Sequence, residues 1–102
     1  MSVMATVVET VYPHITKTPS VCSGRACVAG TRVRVMDIVS LHNGGLSPEK
    51  IVREFPSLDS TVDVCAALVY YADHKAEIEA DFAEDQRLAA DAERQRLEQS
   101  GR

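Results

Sequence analysis

The sequence predicts a mainly α-helical fold: a small N-terminal β-hairpin or pair of short strands, a three-helix bundle of helix-turn-helix type, and a C-terminal helical extension. Three observations carry this. Gly24 and Gly30 bracket a short β-leaning stretch, after which Arg32 and Arg34 alternate with Val33 and Val35. That period of two belongs to an extended segment with one cationic and one apolar face. Between positions 36 and 72, three runs of helical periodicity are separated by Asn43-Gly44-Gly45 and by Phe55-Pro56. From 73 to 99, Gly and Pro are absent and Ala, Glu, Asp, Gln and Arg dominate, a composition of high helix propensity.

Taken in order, the first dozen residues are β-leaning through Val7, Val8, Val11 and Tyr12 and stop at Pro13. Ile15 and Lys17 alternate around Thr16, a short strand signal before Pro19. The stretch 24–35 reads as a hairpin or two short strands. Helical periodicity begins near Met36, with Ile38, Val39 and Leu41 as its stripe, and glycine at 44 and 45 stops it. Ser47 caps the next helix and Pro48 suits its first position. Ile51, Val52 and Phe55 then face inward, and Pro56 ends the helix. Asp59 or Ser60 caps a third helix that is apolar nearly all round from Val62 to Ala72, which implies burial on more than one side.

The last segment carries a thin apolar stripe, Ile78, Phe82, Leu88 and Leu97. Fully helical, it would be roughly 40 Å long. It is expected either as a solvated helix or as a segment that orders on a partner. The expected division is therefore a body over 1–75 and a charged tail over 76–102.

Composition narrows the function class. With 102 residues, 45% hydrophobic and 25% charged, the chain suits one ordinary globular domain. Its modest core would gain from homodimerisation. No apolar run approaches the ~20 residues of a membrane span. The N-terminus has no basic leader, so a cytoplasmic location is expected. Cys22, Cys27 and Cys65 read as reduced thiols. Cys22 and Cys27 are spaced wider than a metal-binding pair, and His14, His42 and His74 are scattered, so neither metal nor cofactor is expected. Residues 1–58 hold six basic and four acidic side chains, and residues 59–102 hold five and eleven. A slightly cationic front and an acidic rear suggest different partners.

No motif supplies catalytic residues, and the chain is not expected to be an enzyme. The Gly24–Gly30 spacing is one residue too long for a phosphate loop, with Thr31-Arg32 where Lys-Ser/Thr should stand. Arg25, Arg32 and Arg34 are the candidate phosphate contacts, because the guanidinium fork matches phosphate oxygens. Alternatively, one or more of them pairs with Asp37 or Glu9 to position the sheet. In a helix-turn-helix reading, 48–55 is the supporting helix and 60–71 the recognition helix, with Ser60 and Thr61 nearest the bases. Asp59 and Asp63 would repel phosphates, which favours instead an interior or dimeric third helix. In the tail, Arg87, Arg94 and Arg96 either pair with nearby acids, for example Asp91 with Arg94, or reach into an acidic pocket of a partner. Ile78, Phe82 and Leu88 complete the candidate partner surface.

The stretch Gly24-Arg-Ala-Cys-Val-Ala-Gly-Thr-Arg-Val-Arg-Val35, then Ile38, Gly45-Leu-Ser-Pro-Glu-Lys-Ile-Val52, Phe55-Pro-Ser-Leu58 and Ala66-Ala-Leu-Val-Tyr-Tyr-Ala72, closely resembles the bacterial domain-of-unknown-function 433 family. Ala26 stands where the family often has proline, and Phe55 where it has tyrosine. The resemblance implies a small winged or extended helix-turn-helix fold that dimerises. It also implies an antitoxin role beside a PIN-like ribonuclease toxin, with operator DNA bound by the front half and the toxin blocked by the tail. Such nucleases gather carboxylates around a divalent cation, and a tail arginine, Arg94 or Arg96, can neutralise that site. The family pattern does not reach the tail, so these two rest on charge alone. Two rival expectations stand beside it: a free-standing DNA-binding transcriptional regulator with salt-sensitive binding, and a structural dimerisation module with no nucleic-acid role.

Overall fold

The computed structural model describes residues 8–9 and 12–100. Among them the chain forms β1 (Val8–Glu9), β2 (Ile15–Lys17), a 3-10 turn (Cys22–Gly24), β3 (Cys27–Val28), α1 (Val35–Asn43), α2 (Pro48–Glu54), α3 (Thr61–Asp73) and α4 (Lys75–Ser100). The strands make one antiparallel sheet in the order β1–β2–β3, with Val8 opposite Lys17 and Ile15 opposite Val28. The mainly helical architecture with a β unit at its front is the one the sequence predicts. The strand signals at Val7 and Val11 lie outside the described residues.

After β3 the chain turns at Gly30 (φ +78°). Thr31 N donates to Val28 O at 3.0 Å, and Val28 N to Val33 O at 2.9 Å. A left-handed residue at the third turn position alone is the type II pattern, for which glycine is the natural occupant. The returning segment keeps its alternation. Val33 and Val35 are buried, Arg32 is exposed and Arg34 is half-buried. Ahead of β3, Cys22, Ser23 and Gly24 are all left-handed (φ 51°, 59° and 80°). The sequence signals that freedom only at Gly24.

Arg34 is the N-cap of α1, and its N–H donates to Asp37 Oδ2 at 3.2 Å. Ser47 Oγ accepts from Lys50 N at 3.3 Å and opens α2 ahead of Pro48. Ser60 Oγ accepts from Val62 N at 3.2 Å and opens α3. These caps satisfy helix N–H groups that have no partner inside the helix. Ile15, Val28, Val35, Ile38, Val39, Ile51, Val64, Ala67 and Tyr70 form the core between the sheet and the helices.

Two expectations are corrected. α3 is buried on one side only, through Val64, Ala67 and Tyr70, while Val62 and Val69 are each 54% exposed. Among the described residues no element covers the outer face of that helix. The tail is also not wholly outside the body. His74 (φ −133°, ψ 42°) interrupts the helix between α3 and α4, and the chain turns back so that Ile78 enters the core at 1% exposure, with Phe82 packed against it. Ile78, expected on a partner-facing surface, is thus an internal anchor. Tyr70 Oη, which donates to Glu77 Oε1 at 2.8 Å, ties the two helices across the break.

Candidate nucleic-acid and partner interface

Three cations from three different elements line up under α4. Lys17 of β2 places Nζ 3.0 Å from Glu77 Oε2. Arg25, just before β3, places Nη1 2.5 Å from Asp85 Oδ1 and Nε 3.7 Å from Asp81 Oδ1. Arg34 grips Asp37 with Nε and Nη2 at 3.0 and 2.9 Å, and reaches Asp85 Oδ2 with Nη1 at 3.4 Å. Glu77, Asp81 and Asp85 recur every four residues, so they share one face of the helix. The hydrogen bond from Arg25 holds the Asp85 carboxyl below its ordinary range. Burial pushes Asp81 the other way, against the opposing pull of Arg25.

The sequence groups Arg25, Arg32 and Arg34 as one phosphate-contact set, and the fold divides them. Arg25 and Arg34 are engaged with α4 and Asp37; the pairing of Arg34 with Asp37 is the alternative visible in the sequence. Arg32 is exposed. It borders an open groove of about 600 Å³, shared with Thr16, Thr18, Val21, Gly30, Thr31 and Ser57. The Thr31 hydroxyl shapes this rim, donating to Val28 O at 2.9 Å and accepting from Val33 N at 3.0 Å.

Ser60 and Thr61 do not line that groove. The Ser60 hydroxyl is engaged as a helix cap, and Thr61 is half-buried. Asp63 beside them accepts from Asp59 N at 3.1 Å and lies 3.6 Å from His14 Nδ1.

From Gln86 onward the α4 side chains are exposed, save Asp91, which is partly covered. Arg87 pairs with Glu84 at 2.7 Å and Asp91 at 3.3 Å, and Arg94 with Asp91 at 2.7 Å. Arg96 Nε donates to Glu93 at 3.2 Å. At about 100° per residue, Arg87 and Arg94 share one side, opposite Ile78, while Leu88 points elsewhere and Arg96 falls near the Ile78 side. The set Ile78, Phe82, Arg87, Leu88, Arg94 and Arg96 is therefore not one surface. Its first two members are packed inward, and the other four spread around the rod.

The outer face of α3, which the sequence offers as an interior or dimeric helix without naming its residues, carries a groove. Val62, Cys65, Ala66 and Val69 line a shallow groove of about 320 Å³ with Tyr12, Pro13 and His14. Its signal was the excess of apolar residues around α3. Tyr12 and Tyr70 meet edge-on at 5.3 Å, and Tyr70 stacks on His74 at 4.1 Å. Among the described residues no three His, Cys, Asp or Glu side chains converge where a metal ion could sit. No helix among them is long and apolar enough to cross a membrane.

A mainly helical body of three short helices with a small antiparallel sheet at its front and a long closing helix defines the class. Residues 15–71 match the model of the family described as "Protein of unknown function (DUF433)", and the chain belongs to that family. A crystal structure of a DUF433 member protein from Anabaena variabilis ATCC 29413 is similar, with 30% identity over 69% of this chain and 68% of that one, and a TM-score of 0.62. Comparison with curated proteins gives no match.

Proposed function

We propose that this chain is a cytoplasmic, non-enzymatic antitoxin of a type II toxin–antitoxin pair. In this reading it holds a PIN-like ribonuclease with the outer half of α4 and binds operator DNA as a homodimer. The observation that carries it is the state of residues 86–100, a helical rod whose ion pairs among the described residues all lie within α4. The rod continues a docked helix and its side chains beyond Gln86 are exposed, save Asp91, so its surface is open to another chain. Arg87 and Arg94, sharing one side, are the cations able to enter a carboxylate-lined metal site together.

A second copy covers the outer face of α3. Val62 and Val69 stand symmetrically about the small pair Cys65 and Ala66, so an antiparallel contact of two α3 helices sets each Val62 against the other copy's Val69. A surface that complements itself in this way suits a two-fold interface.

The test is co-expression with the product of the adjacent reading frame, followed by affinity capture. A chain ending after Gln86 keeps Ile78, Phe82 and Asp85 and is expected to fold but to lose the complex. Capture of the same product by the shortened chain would remove the tail from the mechanism.

The open groove beside Arg32 favours a second reading, a free-standing DNA-binding regulator. It requires affinity that falls steeply with salt, and Arg32→Ala is expected to reduce that slope by about one.

A further inference from the structure

We infer that Lys17, Arg25 and Arg34 form a DNA phosphate-binding row, and that Glu77, Asp81 and Asp85 of α4 occupy it in the free chain. DNA and the docked half of α4 then compete for the same three cations. This deepens the DNA-binding reading above and rests on it.

Three features support the competition. Lys17, Arg25 and Arg34 come from a strand, a turn exit and a helix cap, yet all present their charge to one face of one helix. Once uncovered, that row continues into ground already open. Arg34 stands two residues from Arg32 in an extended segment, where alternate side chains share a face, so the row leads on to Arg32 at the groove.

The cover is held by one buried anchor with Phe82 packed beside it, and by its ion pairs. Ile78 is its one fully buried side chain, and its ion pairs are partly exposed, with Asp85 at 38%. Pairs of that kind contribute little each. The link to the body is the non-helical His74, and the Tyr70–Glu77 hydrogen bond across it must open for α4 to leave.

Charge density decides which anion prevails. Carboxylates four residues apart on a helix stand about 6 Å apart along its axis. A DNA strand carries a charge roughly every 3.4 Å of axis and releases counterions when it is neutralised. DNA therefore displaces the carboxylates at low salt and yields to them as salt rises. Linkage is reciprocal: whatever holds α4 off the body raises DNA affinity by the factor with which DNA loosens α4.

The test measures fluorescence anisotropy of a labelled duplex of about 20 bp with the full chain, between about 50 and 200 mM salt. The double variant Asp81→Asn, Asp85→Asn is expected to bind about tenfold tighter than wild type, with a salt slope steeper by about two. Equal affinity and slope would overturn the competition while leaving the DNA reading intact. No binding by either protein would overturn both, and would leave capture of a protein by α4 untouched.

Hydrogen exchange on the wild-type chain guards against a misfolded variant. A saturating duplex is expected to speed exchange in residues 75–85 relative to α1. Unchanged or slowed exchange there, with DNA bound, would overturn the inference.

Discussion

Arg25 meets Asp85 across 60 positions of sequence, with Nη1 2.5 Å from Oδ1. The Arg25 side chain is only 14% exposed, and its Nη1 also lies 3.5 Å from Met36 Sδ. One side chain thus joins the β unit, α1 and α4, and α4 is closed over the front of the molecule from the Arg25 side as well as by Ile78.

That contact has a pH signature. The Asp85 carboxyl is lowered, first by its hydrogen bond from Arg25. A lowered folded value means stabilisation that is fully present above the unfolded value of about 3.9 and lost as pH falls through the folded one. The stability difference between wild type and Asp85→Asn is expected to hold its full size above about pH 5 and to shrink as pH falls through the lowered folded value. Asp81 has the opposite sign. Its value is raised by burial, so it favours the fold when protonated, and that contribution fades as pH rises through its raised folded value. Denaturant titrations of both single variants across this range check the two slopes.

Ile78 and Leu88 lie on the same thin stripe in the sequence and part company in the fold. Ile78 is 1% exposed and Leu88 is 49% exposed. Ile78→Ala is expected to cost about 2–4 kcal/mol in urea unfolding, as large-to-small changes in cores do. Leu88→Ala is expected to stay within about 0.5 kcal/mol. Equal losses would mean that the rod beyond Gln86 also packs on the body.

Val69→Asp tests the outer face of α3. The side chain is 54% exposed in the single chain, so the substitution is expected to leave folding intact and convert a dimer into a monomer by sedimentation. A wild-type chain that sediments as a monomer at high protein concentration would remove the two-fold contact.

The three thiols are expected to separate by reactivity. Cys65 is exposed, Cys22 intermediate and Cys27 buried. Burial first, then the hydrogen bond with Cys22, pushes the Cys27 thiol up to about 12. Since the thiolate is the reacting form, a thiol reagent near pH 8 is expected to label Cys65 rapidly in the monomeric Val69→Asp chain and more slowly in the wild-type dimer, and Cys27 only after unfolding. Mass spectrometry of the labelled peptides reads the order.

Local chemistry was legible in advance and long-range pairing was not. Ser47 with Pro48, Ser60 as a cap, and the alternation from Arg32 to Val35 are short-range signals, and each sits where its spacing predicts. Arg34 with Asp37 was visible for the same reason, being three residues apart. The meeting of Arg25 with Asp81 and Asp85 leaves no periodic trace, because an ion pair between distant elements constrains neither neighbourhood. The break at His74 has no glycine or proline to announce it. Ile78 looked like a surface residue because its stripe is one side chain wide, and a single anchor beneath a long polar helix is enough to dock it. The apolar surplus of α3 was legible as composition, but whether a second layer of the same chain covers it depends on topology.

The bare outer half of α4 also bears on how long the chain survives intact. Backbone without tertiary packing opens readily, and opened backbone is where proteases cut. Arg87, Arg94 and Arg96 are points of attack for a protease that cleaves after basic residues. Cleavage there would clip the rod yet spare Ile78 and the sheet. Any molecule that gripped the rod would hide those peptide bonds and slow the loss of the outer half of α4.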